Sequence, residues 1–103
     1  MPELVDILRL IDRAALSVIL DPRSPERRAE LRALIVEHLP ALAEQRQSET
    51  VEILLRRITG VSREIVRAFD STRFATETAR QGLILSYVRT LRGFIGAVLR
   101  LLE

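Results

Sequence analysis

The chain has 103 residues, the length of one domain, and 48% of them are hydrophobic, enough for a core and too many for a disordered chain. It has no Cys, which excludes disulfides, thiolate metal sites and cysteine nucleophiles. All 16 basic residues are Arg against 14 acids, so a sequence pI near 10.3 reflects a net charge of only +2 and argues for no nucleic-acid or membrane partner by itself, while the missing Lys excludes Schiff-base chemistry and a P-loop lysine.

Helical spacing runs nearly throughout and strand alternation nowhere, which makes this an all-α chain. A first helix is expected over about 3–20, with Leu4, Ile7, Leu8, Ile11, Ala14, Ala15, Val18 and Ile19 along one face. Asp21 to Pro25 ends it, and Ser24 then reads as an N-cap with Pro25 at the first helical position. The second helix carries Leu31, Leu34, Ile35, His38, Leu39 and Leu42, with Pro40 expected to kink or break a segment reaching about Gln47.

Ser48 is the next cap, and from there two readings stand. Val51, Leu54, Ile58, Val61, Ile65 and Ala68 form a heptad-like seam compatible with one helix from 48 to about 70; the alternative breaks the chain at Gly60. Asp70, Ser71 and Thr72 offer capping side chains for a last helix over about 72–102. Its seam is Ile84, Val88, Leu91, Ile95, Val98 and Leu102, flanked by Leu83, Tyr87, Phe94 and Leu101, with Gly82, Ser86, Arg89, Gly93, Gly96 and Arg100 on the far side. At 1.5 Å per residue it would span about 45 Å and outreach the first helix, so its end is expected to project.

The expected fold is therefore a single all-α domain over 1–103, an antiparallel up-and-down bundle of four main helices with a long C-terminal helix. Breaks at Pro40 and Gly60 would raise the count to five or six.

Enzymatic sites find little support. His38 is the only histidine, zinc would need three carboxylates beside it, and no Glu-x-x-His pair or nucleophile elbow occurs. Neither a catalytic role nor a metal, cofactor or small-molecule substrate is expected.

One segment carries a motif. Thr59-Gly60-Val61-Ser62-Arg63-Glu64-Ile65-Val66-Arg67-Ala68-Phe69 resembles the turn and recognition helix of helix-turn-helix transcription regulators, over residues 51–70. The resemblance implies a tight turn at Gly60, Val61 and Val66 in the core, and Leu55 and Phe69 packing two helices together. It further implies Ser62 as a cap and phosphate contact, with Arg63 and Arg67 facing a DNA groove. Arg56 stands where such motifs usually carry a small residue. A nucleic acid is the partner in this alternative reading of residues 52–70.

The leading expectation is a non-enzymatic interaction module working through helix-helix contacts. Its partner is a second copy or another helical protein, and its interface comprises Ile84, Val88, Leu91, Phe94, Ile95, Val98, Leu101 and Leu102. A membrane-surface role for Arg89, Arg92 and Arg100 is the weaker reading, because Trp and Lys are absent. The N-terminal stretch shows no secretion signal, and Gly93–Leu99, the longest uncharged run near the C-terminus, is far short of a membrane span. A cytoplasmic protein is expected.

Overall fold

The computed structural model describes residues 3–71, 73–74 and 76–103, and among them only helices form regular structure. There are four: α1 Leu4–Leu20, α2 Pro25–Ala43, α3 Glu49–Asp70 and α4 Glu77–Leu102. Three of them begin on a side-chain cap. Ser24 accepts from the Arg27 amide at 3.3 Å, Ser48 from Val51 at 3.4 Å and Thr76 from Ala79 at 3.0 Å. Pro25, directly behind Ser24, needs no partner for a missing N–H in the first turn.

Of the readings left open, the one without chain breaks holds at both Pro40 and Gly60. Pro40 lies inside α2, which continues to Ala43; it costs only the hydrogen bond to Val36, close enough to the helix end for the packed Leu42 to hold the last turn. Gly60 lies inside an uninterrupted α3 with no positive φ, so the turn that the helix-turn-helix resemblance implies is not formed. The apolar spacing continues on both sides of Gly60, and burying it outweighs about 1 kcal/mol of glycine propensity.

The last helix starts at Glu77, later than expected, because Thr76 rather than the Asp70–Thr72 group supplies the cap. Ser71 instead accepts from the Arg73 amide at 3.2 Å, and Thr72 lies outside the described residues. With 26 residues α4 is about 39 Å long, close to the 41 Å long axis of the molecule. Glu103 is paired with Arg9 near the start of α1, so the end of α4 does not project.

Packing forms a closed cycle. α1 packs on α2, α2 on α3, α3 on α4, and α4 back on α1, while no close backbone approach joins the diagonal pairs among the described residues. The centre is aliphatic: Leu8, Ile11, Leu31, Ile35, Ile58, Ile65, Ile84, Leu91 and Ile95 are fully buried. On α1 every expected core residue is buried except Ile19, which is half-buried.

α3 differs from its expected seam in an informative way. The buried residues are Val51, Leu55, Ile58, Thr59, Ser62, Ile65, Ala68 and Phe69, so Val51, Ile58, Ile65 and Ala68 are buried as expected, while Leu55 and Ser62 take places expected for Leu54 and Val61, which are only partly buried. The heptad-like period is kept, and the core face takes the next residue along at two steps. The cost is visible, since Ser62 Oγ is buried with no hydrogen-bond partner.

Arginines latch the ends of the helices. Arg27 donates to the Ser17 carbonyl at 2.9 Å in the last turn of α1. Arg28 donates to the Pro22 carbonyl at 2.6 Å and pairs with Glu77 at 2.9 Å. Arg80 reaches back from α4 to the carbonyls of Ala68 and Phe69, satisfying acceptors that the end of α3 leaves open. A planar fork with spread, fixed donors suits two such carbonyls at once, which gives Arg a physical role here.

Candidate functional site: the α4 flank and an arginine cleft

The expected interface on α4 divides in two. Ile84, Val88, Leu91, Ile95 and Val98 are fully buried in the chain's own core and cannot meet a partner without unfolding. Phe94 and Leu102 are partly buried and Leu101 is 55% exposed. The sequence seam was complete enough to mark the core, but five of its residues are consumed by α1 and α3.

What remains partly outward is the flank. Leu83, Tyr87, Phe94 and Leu101, spaced by 4, 7 and 7, lie on one stripe of α4. Leu83 and Tyr87 form the wall of a shallow depression with Ala68 and Phe74, which puts the N-terminal end of the stripe against the end of α3. On its other flank α4 is held to α1 by Arg92, which donates to Asp12 at 2.9 Å. By length and apolarity α4 would also suffice to cross a membrane, a property it shares with core helices of water-soluble proteins.

The residues of the helix-turn-helix resemblance separate in the same manner. Arg63 and Arg67 are exposed on α3, and Arg67 is paired with Glu64 at 2.8 Å. Ser62, expected to touch phosphate, is 1% exposed and faces the core. Leu55 and Phe69 are buried, but on one continuous helix, so no second helix meets a recognition helix across a turn. His38 is mostly buried, its Nε2 3.8 Å from the Glu37 carboxylate, and among the described residues no group of three or more His, Cys, Asp and Glu gathers as a metal site.

A second feature had no motif to announce it. Between the end of α2 and the middle of α3 lies a cleft of about 460 Å³. Leu42 and Leu55 provide its apolar floor, Arg46, Arg56 and Arg63 its basic wall, and Gly60 a gap between the last two. Glu52, Arg56, Gly60 and Arg63 fall on one face of α3 by their spacing of 4, 4 and 3. The helix propensities and caps that shape α3 thus line up charges that reading the seam alone passes over. Arg46 comes from the α2–α3 connection, where Gln45 folds back to donate to the Ala41 carbonyl at 3.3 Å.

The chain matches no known protein family and no curated protein, and its fold matches no solved structure.

Proposed function

We propose that this chain is a non-enzymatic, cytoplasmic interaction module, an antiparallel up-and-down four-helix bundle that self-associates along the outer flank of α4. The antiparallel arrangement is supported by the cross-helix pairs. Arg9 with Glu103 and Asp12 with Arg92 run in opposite order along α1 and α4, and Arg32, early in α2, pairs with Asp70 at the end of α3. The short α1–α2 connection agrees with it.

The observation that carries self-association is the apolar stripe of Leu83, Tyr87, Phe94 and Leu101, whose first three members keep part of their surface outside the core and whose last is 55% exposed. A contiguous apolar strip on a small soluble domain marks an interaction surface more often than scattered single residues do. A second copy brings the same strip, so the contact is self-complementary about a two-fold axis.

Light scattering coupled to size exclusion tests this directly. The parent chain is expected to move from monomer to dimer as concentration rises, and Leu101→Glu, at an exposed position that leaves the core intact, is expected to remain monomeric with unchanged helical circular dichroism. A parent chain that stays monomeric at millimolar concentration removes the reading.

A further inference from the structure

We infer that the cleft between the end of α2 and the middle of α3 binds a small soluble phosphate monoester, its phosphate held by Arg46, Arg56, Arg63 and the Thr59 hydroxyl. No α4 residue lines this cleft, so the inference stands apart from self-association.

Among the arginines without a carboxylate partner, three line one cleft. Arg9, Arg28, Arg32, Arg67, Arg80 and Arg92 are spent on carboxylates of the chain itself. Arg46, Arg56 and Arg63 belong to none of these pairs among the described residues, although Glu52 lines the same cleft. Three guanidinium groups against one carboxylate leave the wall with a surplus of two positive charges. A groove of comparable size between α1 and α2, about 490 Å³, has Arg13 against Glu30 and Glu37 and carries the opposite sign.

An independent observation comes from Thr59. The residue is only 6% exposed, lines the cleft, and its Oγ1 is buried without a hydrogen-bond partner. A helical threonine can return its hydroxyl to the carbonyl three or four residues earlier, so an unused one in a residue that lines the cleft is a buried donor and acceptor left without a partner. A phosphate oxygen satisfies it.

Shape completes the case. Arg56 and Arg63 stand about 10.5 Å apart along the helix axis, with Thr59 and Gly60 on the face between them. No atom lies within 4 Å of where a Gly60 Cβ would stand, so the wall is notched there and a ligand can approach the helix backbone. Guanidinium forks suit a tetrahedral dianion, which accepts from several at once, better than a carboxylate with two oxygens. Leu42 and Leu55 offer an apolar bed for the rest of the molecule, and the volume suits a body no larger than a nucleoside.

The test is titration calorimetry on the full chain at constant ionic strength, with inorganic phosphate, pyrophosphate and adenosine monophosphate as probes. Saturable binding at one site per chain is expected for at least one of them. Arg56→Gln with Arg63→Gln is expected to weaken it by about tenfold or more, whereas Arg89→Gln with Arg100→Gln, which removes the same charge from α4, changes it by less than about twofold. Thr59→Val, nearly isosteric, is expected to cost about three- to tenfold. Absence of saturable binding for every probe overturns the inference, as does equal loss in the two charge variants. Tighter binding to duplex DNA or to phosphatidylserine vesicles than to any small probe also overturns it, and assigns the arginines to a polymer or a membrane surface.

Discussion

A hydroxyl and a carboxylate on α3 show what a single side chain costs and gives. Ser62 Oγ is buried among aliphatic residues with no partner, the kind of group whose desolvation costs about 1–3 kcal/mol. Ser62→Ala is expected to raise stability by about 1 kcal/mol in urea denaturation, with an unchanged slope. Asp70 offers a different experiment. Arg32 donates to its carboxylate through Nε and Nη2, each at 2.9 Å, and this hydrogen bonding holds the Asp70 carboxyl below its ordinary value of 3.8, helped by the charges of Arg32 and Arg80. A lowered carboxyl pKa means that the contribution is present above the ordinary value and is lost as pH falls through the lowered one. Asp70→Asn is therefore expected to melt below the parent at about pH 6 and to converge with it towards about pH 2. A gap that persists in acid would show that the pairing is not what stabilises this contact.

At the scale of the helices, the reading of caps from sequence succeeded where one polar side chain decides and faltered where several compete. Ser24 and Ser48 stand alone before apolar-periodic segments, and both cap as expected. Near the start of α4 several hydroxyl residues compete, and Thr76 prevails through the acidic first turn that follows it at Glu77. Gly60 and Pro40 leave their helices unbroken for a related reason. Their intrinsic costs are local, whereas the helices that contain Gly60 and Pro40 are held by burial along their whole length. The seam of α3 was legible at Val51, Ile58, Ile65 and Ala68, but at two steps it was not: nothing in the sequence separates Leu54 from its neighbour Leu55, and Val61 is more apolar than the Ser62 that the core accepts. The cleft was illegible for a plainer cause: Arg46 and Arg56 come from different elements, and only the packing of α2 on α3 brings them to one wall. Gly60 gives the element-scale prediction. Its site is helical with open space beyond, so Gly60→Ala is expected to raise the melting midpoint, by up to about 1 kcal/mol in free energy. A fall instead would mean that the backbone there needs glycine for a reason the helix geometry does not contain.

Over the whole molecule, arginine is divided between two duties. Around the α1–α2 connection and the junction of α3 with α4, Arg27, Arg28, Arg32 and Arg80 hold carbonyls and carboxylates of the chain. Near the α2–α3 connection, Arg46, Arg56 and Arg63 face a cleft. A composition with no Lys thus supports both a latch and a wall, since the same planar fork suits a backbone carbonyl, a carboxylate or a phosphate.

The closed cycle of helices also sets an order in time. Three of its four contacts join helices adjacent in the chain, but the fourth, α4 on α1, joins Asp12 to Arg92 across 80 residues of sequence. Closing so long a loop costs the most chain entropy, so that contact is expected to form after the main folding barrier, with the adjacent pairs already associated. Asp12→Ala is then expected to speed unfolding by up to about fivefold while leaving the folding rate nearly unchanged in stopped-flow measurements. A slowed folding limb would instead make the meeting of first and last helix the step from which the whole molecule assembles.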